Sequence, residues 1–137
     1  MERAVPRKME SLAVLVDFVR DFLAAERLSK DRAFDLDLVI EELFTNLVRH
    51  ARADGDIEVR LERAPGQVLV RLRAAEPSPF DPTAAPRVNV NLPIEERRPG
   101  GLGIHIVREL CQEFRYEWHD GVGTTLVVMG VNDSCSS

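Results

Sequence analysis

The chain has 137 residues, of which 45% are hydrophobic and 30% charged, a balance typical of one soluble globular domain. The formal net charge of −5 argues against nucleic acid or an anionic membrane as a partner, since such binders usually carry a basic footprint. No apolar stretch approaches the roughly 20 residues of a membrane-spanning helix, and the N-terminus lacks the apolar core of a signal peptide. We therefore expect a cytoplasmic protein with a single domain over residues 1–137.

The first half of the chain predicts two amphipathic helices. Between residues 9 and 27 the apolar side chains recur every three or four positions, the spacing of a helix with one wet face. A second run of the same period follows an N-cap at Ser29 or Asp31 and extends to about Ala51.

A hairpin and a long irregular segment follow. Residues 57–63 alternate between apolar and charged side chains, and residues 68–74 are again extended after a Pro-Gly turn, so the pair predicts a β-hairpin. Residues 77–99 contain six prolines, which favours an irregular excursion. A loop of that length in a small domain is usually functional or mobile.

The last part of the chain predicts a helix and a second hairpin. The helix begins at the glycines of residues 100–103, strands are predicted at 114–119 and 124–131, and the tail 132–137 is expected to fray. Helices and antiparallel strands are segregated in this order. It favours an α+β class with the helices layered on one face of a sheet.

The second predicted helix carries a polar stripe. Glu42, Asn46 and His50 are spaced four residues apart, which places them along one edge of the apolar face. A carboxylate and an amide one turn apart can hold a hydrated Mg²⁺ and orient a water or hydroxyl, because Mg²⁺ prefers hard oxygen ligands. From spacing alone, the alternative is an amphipathic helix with polar residues at its shoulder.

Two glycine-containing segments could contact an anion. The glycines before the third helix allow backbone N–H groups to approach a phosphate at a helix N-terminus, although a tight turn into a helix is the alternative. In the segment GVGTTL, Thr124 or Thr125 offers a hydroxyl donor, or the segment is a hairpin turn that enters a strand.

Four segments, taken together and in order, carry a family resemblance: EELFTNLVRHA at 41–51, PFDP at 79–82, RPGGLGIHIV at 98–107 and GVGTTL at 121–126. Over about residues 5–131 the chain resembles the GHKL (histidine-kinase-like) ATPase superfamily, and within it the bacterial anti-sigma factor serine kinases. The resemblance implies a Bergerat-type two-layer α/β sandwich with a mixed, mostly antiparallel sheet. It also implies that ATP and Mg²⁺ bind between the helices and a lid at about residues 83–100.

The resemblance further implies roles for single residues. Glu42 matches the general base and Asn46 the Mg²⁺ ligand. The cofactor-binding residues that the resemblance implies are Asn46, His50, Asp81, Gly101, Leu102, Gly103 and Thr124. His50 matches a family histidine for which a packing or helix-end role is an equal alternative.

One departure from the family pattern concerns the adenine base. The resemblance implies an aspartate that binds the adenine amino group shortly before PFDP, and alignment on Phe80 places Ala75 at that position. Glu76 is displaced by one residue, and neighbouring side chains of a strand point to opposite faces. Pro77 stands where the family has glycine, and it lacks an N–H. We therefore expect relaxed selectivity for adenine.

The function implied by the resemblance is an anti-sigma factor that is also an ATP-dependent protein-serine kinase. Its expected partners are a sigma factor and an anti-anti-sigma protein of the STAS type, which it phosphorylates, and a homodimer is compatible with the family. The alternative is a non-catalytic partner-binding module with little or no ATP turnover. The ATPase half of a histidine kinase is disfavoured, because no helical segment with a phospho-acceptor histidine precedes the domain.

Overall fold

A computed structural model describes residues 1–50, 53–84 and 101–131 of the chain. These residues form three α-helices and five β-strands, with short 3-10 turns at Met9–Ser11, Lys30–Arg32 and Pro82–Ala84. In chain order the elements are β1 (Glu2–Pro6), α1 (Leu12–Ala25), α2 (Ala33–Arg49), β2 (Asp56–Ala64), β3 (Gln67–Ala75), α3 (Gly101–Leu110), β4 (Glu113–His119) and β5 (Val122–Gly130). Within the described residues, no helix has both the length and the apolar character needed to cross a membrane.

The strands form one sheet in the order β1-β2-β3-β5-β4. Every pairing among the described strands is antiparallel. The resemblance implied a mixed, mostly antiparallel sheet, and no parallel pair occurs among these strands. The β2–β3 hairpin turns at Gly66, whose φ of 67° is one that glycine adopts at little cost. The β4–β5 hairpin turns at Asp120 and Gly121, whose φ angles of 49° and 79° are those of a two-residue hairpin loop.

One face of the sheet packs against the helices. Alternate residues of the central strands are buried there, because side chains of a strand alternate between the two faces; they include Ile57, Val59, Leu61, Val68, Val70 and Leu72. They share one core with residues of all three helices, among them Phe22, Phe44 and Val107. Each large apolar side chain buried in this way contributes about 1.5–3 kcal/mol. The α+β class and the two-layer α/β sandwich are thereby confirmed.

The other face of the sheet exposes polar side chains. A groove of about 490 Å³ on that face is lined by Arg71, Arg73, Arg115, Glu117, His119, Thr124 and Leu126. The two faces therefore differ in character. In any one strand, only the side chains that alternate in step with the buried residues can reach a site between the sheet and the helices.

The predicted helices and hairpins all form, with ends that differ by a few residues. β1 was not predicted, because its five residues include one buried side chain, Val5, and no alternation. It is held by antiparallel pairing with β2. The expected lid at residues 83–100 is described only at Thr83 and Ala84, and the rest of it and the tail 132–137 lie outside the described residues.

Candidate functional site

The candidate site begins on α2. Glu42 and Asn46 are both half-buried and lie one helical turn apart, next to the buried residues Leu43 and Leu47. The apolar side of α2 faces the sheet, so the two polar side chains lie at the border between the core and solvent. Two members of the predicted polar stripe therefore lie at this border, whereas the third, His50, is the exposed C-cap of α2.

The carboxylate of Glu42 lies against the first turn of α3. A Cβ added at the buried Gly103 would lie 2.6 Å from Glu42 Cδ and closer still to Oε2. Real Cβ atoms do not approach other atoms so closely. The glycine at position 103 thus leaves the space that the carboxylate occupies, and the fold joins the stripe on α2 to the glycine segment that opens α3.

The environment of Glu42 favours its protonated form. Burial raises the pKa of the Glu42 carboxyl, the neighbouring Glu41 raises it further, and Arg49 lowers it. Desolvation disfavours the charged form of a carboxyl group. A carboxylate whose pKa is raised is a stronger proton acceptor, which is the property that a general base needs.

His50 and Asp81 make local contacts. His50 is the exposed C-cap of α2, and its ring packs on Phe80 with ring centroids 5.0 Å apart. The Asp81 carboxylate accepts hydrogen bonds from the backbone N–H (2.8 Å) and hydroxyl (2.6 Å) of Thr83, which starts the 3-10 turn at Pro82–Ala84 as an Asx turn does. The structure thus shows a packing contact for His50 and a turn-forming role for Asp81.

The structure does not bring Thr124 to Glu42 and Asn46. Thr124 pairs with Arg73 and lines the groove on the polar face of the sheet. Thr125 pairs with the buried Leu72 and is 3% exposed, so it is the threonine on the helix-facing side. The alternation of β5 thus puts Thr124, which the resemblance implied, on the face of the sheet opposite to the helices.

The structure places Ala75 and Glu76 on opposite faces of the sheet. Ala75, which the alignment on Phe80 selects, pairs with Val122 and belongs to the polar face of the sheet. Glu76 continues the buried parity of Leu72 and Ala74 and is 2% exposed. The side of the sheet that the alignment on Phe80 assigned to Ala75 is therefore occupied by Glu76, and recognition of a base by either residue stays a prediction.

Glu76 is held by a residue that the sequence analysis missed. Arg7, just after β1, donates from Nη2 to Glu76 Oε1 at 2.6 Å, and the two side chains are 4% and 1% exposed. Arg7 also donates from Nε to Leu47 O and from Nη1 to Ala75 O. A lone arginine in an N-terminal segment gives no signal in the sequence, because its partners lie 40 to 69 residues away.

A family profile decides the identity of the domain. The profile described as "Histidine kinase-like ATPase domain" matches residues 5–129. The chain belongs to the histidine kinase-like ATPase domain family. No curated protein sequence matches it significantly.

Solved structures share the fold of this histidine kinase-like ATPase domain. The SiaB–SiaC complex from Pseudomonas aeruginosa matches with a TM-score of 0.66 and 16% identity, over 94% of this chain and 88% of that one. The RsbU and RsbW domains of Rv1364c from Mycobacterium tuberculosis match with a TM-score of 0.65 and 16% identity. The match covers 96% of this chain but only 32% of that one. The Acinetobacter baumannii histidine kinase AdeS matches with a TM-score of 0.55 and 12% identity, over 96% of this chain and 68% of that one. At these identities the likeness shows the fold.

The family implies ATP with Mg²⁺, and the residues fit this group at one end. Glu42, Asn46 and the start of α3 supply a carboxylate, an amide oxygen and backbone N–H groups, which suit Mg²⁺ and phosphate. Within the described residues, no group of three or more His, Cys, Asp or Glu side chains could hold a metal. Asn46 would hold Mg²⁺ through its amide oxygen, and Mg²⁺ in proteins usually keeps several waters and phosphate oxygens. Where the resemblance implies an acceptor for adenine the fit fails, because Ala75 lies on the polar face of the sheet and Glu76 already binds Arg7.

Proposed function

We propose that this protein is an ATP-dependent protein-serine kinase that also acts as an anti-sigma factor, with one domain over residues 1–137. The observation that carries the proposal is the contact of the Glu42 carboxylate with Gly103, one turn along α2 from Asn46. A carboxylate with a raised pKa, an amide and a helix N-terminus are the groups that phosphoryl transfer to a hydroxyl requires.

Each of these groups has one task. Glu42 Oε2 accepts the proton of the serine or threonine hydroxyl of the substrate protein. Asn46 holds Mg²⁺ through its amide oxygen, and the backbone N–H groups of Gly101, Leu102 and Gly103 bind phosphate oxygens at the start of α3. When bound, Mg-ATP supplies the phosphoryl group and the metal spreads its charge.

Other implied residues take different parts in the proposal. Thr125 replaces Thr124 as the hydroxyl near the nucleotide, because it lies on the helix-facing side of β5. His50 supports the end of α2 through Phe80. Asp81 shapes the turn at Pro82–Ala84, where the expected lid begins.

The proposed partners are a sigma factor and an anti-anti-sigma protein of the STAS type, which is the substrate. The family resemblance of the sequence supports both. A structural neighbour, SiaB, was solved in complex with a second protein, SiaC, which supports a domain of this fold as a partner-binding unit. Because a sigma factor acts in the cytoplasm, we propose that location for this protein too.

A second candidate function is a partner-binding module without useful ATP turnover. The buried Arg7–Glu76 pair favours it, since it removes a carboxylate from recognition of the base. A groove of about 400 Å³ between α1 and α2 also favours it. The rim of that groove includes Phe34, which is 73% exposed, and exposed apolar surface of this kind often marks protein contacts.

The test is a transfer assay with Mg-ATP labelled at the γ-phosphate and each STAS-domain protein of the same genome. Labelling of one of them on serine or threonine supports the kinase. Stable binding of such a protein or of a sigma factor, without labelling, supports the binding module. If the protein neither labels nor binds any of them, both functions are overturned.

A further inference from the structure

The family resemblance implies an acceptor for the adenine base at the end of β3, and Glu76 is the carboxylate that the structure places there on the helix-facing side. It directly follows β3, lies on the helix-facing side of the sheet and has a side chain that is 1% exposed. A carboxylate at this place could accept a hydrogen bond from the exocyclic amino group of adenine. It could not recognise the same position of guanine, which carries an oxygen, because two acceptors repel each other.

Arg7 uses that carboxylate inside the protein. Its guanidinium donates to Glu76 Oε1 at 2.6 Å, to Ala75 O at 2.8 Å and to Leu47 O at 3.0 Å. Leu47 is in the last turn of α2, where carbonyl groups lack partners within the helix and a cation is favourable. Arg7 therefore ties together the N-terminal segment, the end of α2 and the end of β3.

The rest of Glu76 is enclosed as well. Its backbone N–H donates to Gly121 O at 2.8 Å, and its carbonyl accepts from Trp118 Nε1 at 2.9 Å. A Cβ added at Gly123 would lie 3.1 Å from Glu76 Cγ and 2.7 Å from the Tyr116 hydroxyl, so both side chains pack over that glycine. The backbone of Glu76 is thus fixed on two sides, and the side chain cannot turn towards a ligand without leaving Arg7.

We infer that the Arg7–Glu76 pair closes the base end of the site. Nucleoside triphosphates then bind through their phosphates with equal affinity, and Arg7 is the residue that prevents selection of the base. The inference rests on the proposed function for the position of the nucleotide. Arg7 holds Glu76 Oε1 and the whole Glu76 side chain is 1% exposed, so an amino group reaches this carboxylate only when the buried pair opens, and the guanidinium then loses a charge-assisted hydrogen bond. Removing Arg7 takes this buried donor away from Glu76 Oε1.

The experiment is calorimetric titration of the full chain with Mg-ATP, Mg-GTP and Mg-tripolyphosphate. In the wild type the three dissociation constants should agree within threefold. Arg7→Met should bind ATP at least fivefold more tightly than GTP, because Glu76 can then accept from adenine. Glu76→Gln should leave all wild-type constants unchanged within threefold, as should the control Glu58→Gln, a β2 residue whose side chain is 45% exposed on the polar face.

Several results would overturn the inference. A wild-type preference for ATP above threefold would show that the base is already recognised, and its loss in Glu76→Gln would assign that recognition to Glu76. An Arg7→Met variant that folds and still binds ATP and GTP alike would show that Glu76 does not face the base. If Arg7→Met or Glu76→Gln does not fold, the ratio of the wild-type dissociation constants for ATP and GTP decides.

The proposed function can fail separately. If the wild type binds none of the three ligands and Arg7→Met binds ATP, the closure of the base end by Arg7 is supported, whereas binding through the phosphates and the kinase function are overturned. If neither protein binds any ligand, both proposals are overturned. If the wild type prefers ATP and transfers phosphate, only the inference falls.

Discussion

The Glu42 carboxylate and Gly103 come from different helices and meet where no side chain fits at position 103. A Cβ there would lie 2.6 Å from Glu42 Cδ. The backbone of Gly103 needs no left-handed φ, since the positive-φ glycines of the described residues are Gly55, Gly66 and Gly121. The glycine is thus required for space, in addition to the approach of an anion that the motif predicts.

The first prediction is that Gly103→Ala displaces the Glu42 carboxylate. The atoms that a new methyl group would meet are the end of a flexible side chain, so Glu42 rotates and the fold survives. Alanine in a helix is up to about 1 kcal/mol more favourable than glycine, so the free energy of unfolding should change by no more than about that amount. Phosphoryl transfer should fall at least about tenfold, as expected for a misplaced catalytic group.

A double-mutant cycle tests the cause of that loss. In a Glu42→Ala background, Gly103→Ala should cost no further activity, because the group it displaces is absent. Calorimetry measures the binding of Mg-nucleotide to the same four proteins, namely the wild type, the two single variants and the double variant. An equal further loss in both backgrounds would mean that position 103 acts through the phosphate and not through Glu42.

Much of the architecture was predictable because it depends on local periodicity. The alternation of β2 and β3 and the helical spacing around Glu42 each follow from a few neighbouring residues. Local periodicity also contained the information on Glu76, since Leu72 and Ala74 set its face. Alignment on Phe80 instead counted residues through an irregular segment, and it selected Ala75. Arg7 could not be predicted, because its partners are brought to it only by the complete fold.

The second prediction separates nucleotide binding from transfer. Glu42→Gln keeps the shape of the side chain and removes the proton acceptor, so transfer should fall about 10²–10⁴-fold, the usual contribution of a general base. Mg-nucleotide binding should stay within a few-fold of the wild type. Glu41→Gln is the matched control, because it removes the same charge from the adjacent, exposed position of α2. Single-turnover transfer by Glu42→Gln at the wild-type rate would exclude Glu42 as the base.

The third prediction concerns the pH dependence of stability. The pKa of Glu42 is raised in the folded protein, chiefly by burial, so the folded state holds this proton more tightly than the unfolded state. Ionised Glu42 therefore costs stability above its folded pKa and costs nothing below its unfolded pKa of about 4. Glu42→Gln should unfold at a higher temperature than the wild type at pH 7, and the difference should vanish as the pH falls below about 4.

Glu41 provides the graded control for this effect, because its charge is the second cause of the raised pKa of Glu42. The rise in unfolding temperature that Glu42→Gln causes at pH 7 should be smaller in a Glu41→Gln background. Thermal unfolding followed by circular dichroism at several pH values measures both gains. A Glu42→Gln variant that is less stable than the wild type at pH 7 would contradict the buried, ionised state.

The last prediction compares two Arg–Glu pairs of the same sheet that differ in burial. The Arg7–Glu76 side chains are 4% and 1% exposed with an N–O distance of 2.6 Å, whereas Arg73–Glu58 are 40% and 45% exposed at 3.9 Å. Removing one member of a buried pair leaves an uncompensated charge and typically costs about 3–5 kcal/mol. Exposed pairs are worth about 0–1 kcal/mol.

Chemical denaturation should therefore show that Arg7→Met lowers the free energy of unfolding by about 3–5 kcal/mol. The double variant Arg7→Met with Glu76→Met should recover part of it, because no charge remains buried, although Leu47 O and Ala75 O still lose a donor. The cycle with Arg73→Met and Glu58→Gln should show coupling below about 1 kcal/mol. High salt should weaken only the exposed pair, since buried charges are screened less. If the two couplings were equal, the Arg7–Glu76 pair would be open to solvent, and the base end of the site would be open with it.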